Sequence, residues 1–213
     1  MRTEDLIKSL AQDTRAVSRH SVERRIALGL IAGAGVTAAL MVGEMGLRAD
    51  LPQALVGFSF WMKWSYTATI AVVAIAAVAH IARPDADRAR WLWLLAIPPL
   101  IIAAMAVMEL ASTPVDGWMP LWLGHSWKQC SASVLSLSLP IFAGLLWSFR
   151  RLAPTNLGRA GAIAGLAAGS TGAVIYSLHC PEVSAAFLIT WYSLGIAAAS
   201  GLGALVGPRL MRW

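Results

Sequence analysis

The chain has 213 residues, of which 58% are hydrophobic and only 13% are charged, and its mean hydropathy is +0.65. A soluble domain of this length cannot bury so much apolar surface in one core, so the composition excludes an ordinary soluble globular protein. The net charge of +6 does not by itself indicate a nucleic-acid partner, because basic residues also accumulate on the cytoplasmic side of membrane proteins.

Residues 1–25 form the only sizeable polar segment of the chain. Within it, Leu6, Ile7 and Leu10 form a small apolar patch at helical spacing. A helix of about ten residues is marginally stable in water unless something packs against such a patch. Two interpretations remain open: a solvated basic arm that anchors the first membrane helix, or a helix that folds when it docks to a partner.

Six apolar runs follow the arm, and each is long enough to cross the hydrocarbon layer of a membrane. They occupy residues 26–47, 58–81, 91–110, 130–149, 161–179 and 184–206. Because a helix satisfies its own backbone hydrogen bonds inside lipid, these runs are predicted to be helical. We therefore predict an all-α polytopic membrane protein, with a short N-terminal helical arm at 1–25 and one bundle of six transmembrane helices in 26–213.

Glycines at four-residue spacing occur in three of the predicted spans. Such spacing lets two helix backbones approach closely in lipid, so it predicts tight helix pairs. The residues concerned are Gly29 and Gly33, Gly161, Gly165 and Gly169, and Gly203 and Gly207.

The basic residues predict an orientation. Fourteen of the 17 Lys and Arg residues fall in the arm, in the loops near 82–90 and 150–159, and in the C-terminal tail, which all lie on one side of the six spans. By the positive-inside rule both termini are cytoplasmic, and the loop 111–129 is periplasmic if the chain lies in a bacterial inner membrane. Lys63 falls within the second span between Trp61 and Trp64, and is expected to extend its ammonium group towards the membrane surface.

Cys130 and Cys180 are the only cysteines, and each lies near a histidine, His125 or His179. Cys130 precedes the basic loop by 20 residues and Cys180 follows it by 21, counted from Arg150 and Arg159. Helices of that length would raise both sulfurs about 30 Å from the basic loop, to the same periplasmic face.

Three interpretations of the cysteines remain open: a reversible disulfide, a metal site that uses both cysteines with His125 and His179, or two unrelated residues at the membrane surface. The metal signal is weak, because the spacing matches no standard zinc motif. We expect no cofactor beyond a possible transient metal ion at the cysteine pair.

Catalysis has little support in the sequence. No Ser-His-Asp constellation, phosphate-binding loop or paired membrane carboxylate is present. The ionisable groups within the predicted spans lie near the span ends; they are Glu44, Lys63, His80 and Glu109. A proton or ion pathway would instead need such groups at the centre of the membrane. We therefore expect no enzyme activity, although a membrane thiol-disulfide oxidoreductase and a metal-ion transporter remain the alternatives.

Several stretches resemble one known family. They are residues 1–10 (MRTEDLIKSL), 121–127 (LWLGHSW) continuing to Cys130, 176–182 (YSLHCPE), 191–195 (WYSLG) and 207–213 (GPRLMRW). Together they resemble the NrsF family of bacterial inner-membrane anti-sigma factors, six-span proteins that hold an extracytoplasmic-function sigma factor inactive at the membrane.

The resemblance implies roles for particular residues. Sigma binding would fall to the cytoplasmic arm, here Thr3, Asp5, Leu6, Ile7 and Leu10, and no direct binding of nucleic acid is expected. Sensing of oxidative or heavy-metal stress would fall to the two periplasmic cysteines, Cys130 and Cys180. Our hypothesis is that oxidation or metal capture at these thiols shifts the periplasmic ends of the fourth and fifth spans and thereby lowers the affinity of the arm for sigma.

Overall fold

The computed structural model describes residues 3–5, 20–82, 90–149 and 156–211, and every regular element in these ranges is helical. Six long helices account for most of it. They are α1 (Ser21–Leu40), α2 (Phe58–Ile81), α3 (Ile97–Ala111), α4 (Trp127–Phe149), α5 (Leu157–Tyr176) and α6 (Ser193–Leu210). The predicted all-α class is confirmed.

Shorter helical elements extend or connect the long helices. A π-helical turn, Met41–Met45, prolongs α1, and a 3-10 segment, Arg90–Ala96, leads into α3. Before α6 lie a short helix, Ala185–Phe187, and a second π-helical turn, Leu188–Tyr192. The predicted loop 111–129 is itself structured, since it contains the 3-10 turn Val115–Gly117 and the helix Trp118–Leu123.

Five helical stretches in the described part of the chain are long and apolar enough to cross a membrane. They are Ser21–Met45, Phe58–Ile81, Trp91–Ala111, Val115–Phe149 and Ala185–Leu210. The fifth predicted span, 161–179, corresponds to α5, which is not among the five stretches, because its glycine, serine and threonine residues lower its mean hydropathy. More than half of the residues of α5 are buried, because it packs against α2, α4 and α6. Little of its surface is left to contact lipid, so α5 can be less apolar than the other spans.

Close approach of helix backbones at glycine is confirmed. A methyl group on Gly161 would collide with the backbone of Gly203, and one on Gly29 with the backbone of Gly144. The resulting contacts join α5 to α6 and α1 to α4. Side-chain hydroxyls add bonds across the second pair: the Thr37 hydroxyl donates to the Leu137 carbonyl at 2.9 Å.

Gly33 offers a test of this packing with a control on the same helix. A Cβ atom at Gly33 would lie 2.6 Å from Ile141 Cα, whereas one at Gly35 has no atom within 4 Å. Gly33→Val should therefore lower the free energy of unfolding by about 1–3 kcal/mol through overpacking, whereas Gly35→Val should not. Thermal unfolding of the two variants in detergent measures the difference, and equal stability would contradict the described contact between α1 and α4.

The two ends of the bundle differ in what they carry. We call the end that holds Cys130 and Cys180 the thiol end, and the end where α1 begins the arm end. Of the predicted arm, residues 3–5 are helical and exposed. Leu6, Ile7 and Leu10 lie outside the described residues. Since α1 begins at Ser21, the last five residues of the predicted arm form the start of this helix.

Candidate functional site

The structure brings the two cysteines together at the thiol end. Cys130 lies in the first turn of α4, where its N–H donates to the Ser126 carbonyl at 2.9 Å. Cys180 lies just beyond the end of α5, and its N–H donates to the Tyr176 carbonyl at 3.0 Å. Both are fully buried in the same apolar cluster, both are free thiols, and the Cys130 thiol lies beside the Cys180 sulfur.

Aromatic rings and hydroxyl groups enclose the thiols. The rings of Tyr176 and Tyr192 lie 5.8 Å apart in the same cluster. The Ser126 hydroxyl lies 3.9 Å from the Cys180 sulfur. The Tyr192 hydroxyl is buried and faces the Cys180 sulfur. The site is therefore apolar in its walls, with several hydroxyl groups close to the sulfurs.

Lys63 belongs to this site, and the prediction that it extends to the membrane surface is wrong. Its side chain is 3% exposed. Its ammonium group donates to the Cys180 carbonyl at 2.7 Å and to the Glu182 carbonyl at 2.9 Å. The reason is helical register: Lys63 lies on the same face of α2 as Tyr66, Thr67 and Ile70, and that face is buried. This periodicity is the signal in the sequence that could have placed Lys63 inside.

Glu182 joins the two cysteine-bearing segments and was also missed. One of its carboxylate oxygens accepts hydrogen bonds from the N–H groups of His125 and Ser126, at 2.7 and 3.0 Å, and from the Ser126 hydroxyl at 3.1 Å. These N–H groups lie immediately before α4, where a helix has no internal acceptors for them and favours a negative charge. The carboxylate thus ties the loop with Cys180 to the helix start that carries Cys130.

The same loop is bonded to the chain that follows α1. The Arg48 N–H donates to the Leu178 carbonyl at 3.2 Å, and its guanidinium donates to the Cys180 carbonyl at 3.4 Å. The ring nitrogen Nδ1 of His179 lies 2.9 Å from the Gly46 carbonyl. Three contacts therefore connect the Cys180 loop to the segment directly after the π-helical turn of α1.

His125 and His179, the two histidines of the predicted metal site, make their described contacts with groups other than the thiols. His125 is exposed, and its described contact with Glu182 is made by its backbone. The His179 ring packs against Tyr176, with ring centroids 5.7 Å apart. Among the described residues, no group of three or more His, Cys, Asp or Glu side chains is arranged to hold a metal ion. The structure brings the two cysteine sulfurs together, and the predicted four-residue metal site is not assembled among the described residues.

The electrostatics distinguish the two cysteines. The pKa of Cys180 is lowered from the ordinary thiol value, first by a hydrogen bond from the Cys130 thiol and further by the Lys63 ammonium group, while burial opposes both. Since the thiolate is the nucleophilic form of cysteine, Cys180 is the thiol suited to react first. Cys130 is then placed to attack an oxidised Cys180.

Removing the Glu182 carboxylate should open this site. Glu182→Ala deletes hydrogen bonds to a charged acceptor, each worth about 1.5–3 kcal/mol, so we expect modification of Cys180 by a small thiol reagent to accelerate about tenfold or more. Asp116→Ala is the matched control, because that carboxylate is exposed in the same connection. Equal rates in the two variants would show that Glu182 does not hold the loop closed.

The fold and the site define a helical bundle of the membrane type with a buried dithiol at one end. The chain belongs to the family described as NrsF, negative regulator of sigma F, whose model matches residues 10–213. It is 39% identical to the Anti-sigma-F factor NrsF of Caulobacter vibrioides (strain NA1000 / CB15N) and 38% identical to the Probable anti-sigma-F factor NrsF of Azospira oryzae (strain ATCC BAA-33 / DSM 13638 / PS), in both cases over all of each chain. No solved structure matches it. The family resemblance in the sequence is confirmed.

Proposed function

We propose that this chain is an inner-membrane anti-sigma factor that holds an extracytoplasmic-function sigma factor through its N-terminal arm and releases it when the Cys130–Cys180 pair reacts. Membership of a family of negative regulators of sigma F over nearly the whole chain supports the sigma-binding half. The single observation that carries the sensing half is the contact of two buried free thiols from different elements.

The thiol pair is suited to a two-electron oxidation. The Cys180 thiolate attacks one oxygen of a peroxide, the other oxygen leaves with a proton as water or alcohol, and Cys180 becomes a sulfenic acid. The Cys130 thiol then attacks that sulfur and a disulfide forms with loss of water. Two thiols have lost two electrons and two protons, and one peroxide has accepted them. Alternatively, a soft metal ion displaces both protons and binds the two sulfurs.

A route to the arm follows from the contacts of α1. At its thiol end, α1 continues into Gly46 and Arg48, which bond to the Cys180 loop. Along its length, α1 packs against α4, the helix that carries Cys130. At its other end, it begins at Ser21, so its first turn belongs to the arm segment 1–25. Both cysteine-bearing elements therefore contact the helix that leads to the arm.

Release requires that the arm bind sigma with different affinity in the two states of the thiol pair. Suppose that 99% of the protein is in the sigma-binding state at rest. Shifting 99% of it to the releasing state then takes a difference of about 5.5 kcal/mol between the two states. Bond formation between the sulfurs would displace the Cys180 loop and the start of α4, and the hydrogen bonds at Gly46 and Arg48 would pass this displacement to α1.

The proposed orientation places the arm end in the cytoplasm and the thiol end in the periplasm. The basic residues at the arm end favour a cytoplasmic location for both termini, where a sigma factor is available. The thiol end then faces the periplasm, a compartment in which disulfides form and persist.

Counting the free thiols of the intact protein tests whether Cys130 and Cys180 respond to an oxidant as a pair. Membranes that contain the chain are treated with hydrogen peroxide and then with a thiol reagent that adds mass at each free cysteine. We expect both thiols to disappear together and to return after reduction. Cys130→Ser and Cys180→Ser are the controls, because neither can form the intramolecular disulfide. Peroxide treatment that leaves both wild-type thiols free would contradict redox sensing by the pair.

A further inference from the structure

Lys63 is an unusual group for the interior of a membrane-type bundle. A buried ammonium ion loses its hydration, and the cost is offset only by hydrogen bonds and a nearby negative charge. Two backbone carbonyls accept its hydrogen bonds, and the Tyr192 ring lies 5.8 Å from its nitrogen. Among the described residues no carboxylate lies within ion-pairing distance of Lys63. The carbonyls accept from two of its three N–H donors, but they supply no counter-charge.

Lys63 donates to the backbone carbonyl of Cys180 itself, so its ammonium group is buried beside the residue that carries this thiol. Conversion of Cys180 from thiol to thiolate would give Lys63 the negative partner that its other contacts lack. Arg48 does not offer the same charge, because its guanidinium is paired with Asp50 at 2.7 Å. Lys63 is therefore the cation through which the protein can control the charge of Cys180.

We propose that Lys63 is the positioning residue of the thiol site: it holds the Cys180 loop through two carbonyls and stabilises Cys180 as the reactive thiolate. This inference rests on the proposed sensing function and adds a residue on which the rate of sensing depends. The groups that face Cys180 from the surrounding elements are Cys130, Tyr176, Glu182 and Tyr192, with Arg48 at the loop carbonyl. Of these groups only Arg48 is cationic, and its charge is already paired.

The test is the pH profile of Cys180 modification in the full-length protein in detergent. Methyl methanethiosulfonate is the probe, and peptide mass spectrometry follows each thiol separately, so that no cysteine needs to be replaced. Lys63→Met removes the charge and the hydrogen bonds. Lys63→Gln removes the charge but keeps an N–H donor, and Lys63→Arg keeps the charge.

We expect the wild-type midpoint of modification to lie below the ordinary thiol range. In Lys63→Met and Lys63→Gln the midpoint should rise by about one pH unit or more, which slows modification at lower pH about tenfold, and Lys63→Arg should stay within about threefold of wild type. A merely structural role would loosen the loop and accelerate modification at every pH without moving the midpoint.

An unchanged midpoint in either uncharged variant overturns the proposal. A wild-type midpoint at or above the ordinary thiol range overturns it regardless of how the variants fold. The readout involves no sigma factor, so it is separate from the proposed function. If Cys180→Ser leaves stress-induced release intact, sensing by the thiols fails; if release needs Cys180 but the Lys63 profiles are unchanged, only the inference about Lys63 fails.

Discussion

Cells that carry Cys180→Ser should fail to induce sigma-dependent transcription under peroxide stress, while transcription in unstressed cells stays repressed. Serine is similar in size to cysteine, so the buried site can accommodate it, but its hydroxyl neither forms a disulfide nor binds soft metals. A sigma-dependent reporter in a strain that lacks the native gene measures the effect. We expect loss of essentially the whole induction.

Continued repression in unstressed Cys180→Ser cells is the internal control, because it shows that the variant is folded and still holds sigma. Cys130→Ser should behave in the same way under peroxide, since a disulfide needs both sulfurs. A difference between the variants under metal stress would show that the metal is bound by one thiol alone. Full peroxide induction in both variants would contradict sensing by the pair.

Deleting residues 1–12 should have the opposite effect, with reporter activity near its maximum in unstressed cells. The deletion removes Leu6, Ile7 and Leu10, and burial of a large aliphatic side chain contributes about 1.5–3 kcal/mol. Loss of three such contacts would weaken sigma binding by several orders of magnitude. Reporter activity is compared with the amount of protein in the membrane fraction, so that simple loss of the protein is not mistaken for release.

A pair of double substitutions gives a finer version of the arm experiment. Leu6→Glu with Leu10→Glu places two charges on the apolar face of the predicted helix. Lys8→Glu with Gln12→Glu places two charges at the same spacing on the opposite face. We expect constitutive transcription from the first pair and continued repression from the second. A silent reporter after deletion of residues 1–12 would refute sigma binding by the arm.

Hydropathy and run length predicted most of the fold. The second predicted span, 58–81, coincides with α2 (Phe58–Ile81), and each of the other runs overlaps a long helix. Hydropathy is least informative for the α5 helix. A helix enclosed by its neighbours needs small side chains more than apolar ones, so hydropathy is a poorer guide to its location than glycine spacing.

The glycine pattern predicted close helix contacts but could not predict the partners. Gly161 meets Gly203, which also lies in a GxxxG pattern, whereas Gly29 meets Gly144, which has no such pattern. A spacing within one helix describes one surface only. The complementary surface depends on how all the helices are arranged, and that arrangement is a property of the whole bundle.

Part of the candidate site was also predictable from the sequence and part was not. Counting residues from the basic loop predicted that Cys130 and Cys180 lie at one level. The contacts of Lys63 and Glu182 were not predicted, because they join residues more than fifty positions apart in the chain. The flanking tryptophans favour the membrane surface for Lys63, whereas its helical register with Tyr66 and Ile70 favours the interior, and the structure shows that the register is the better guide.

Capture of the sigma factor by the full-length protein, with the thiols reduced or oxidised, tests the central claim most directly. Purified protein is immobilised in detergent, exposed to sigma under reducing conditions or after peroxide treatment, and the retained sigma is quantified. We predict strong capture by the reduced protein, loss of capture after oxidation, and unchanged capture by oxidant-treated Cys180→Ser. Equal capture by the reduced and oxidised wild-type protein would contradict the account.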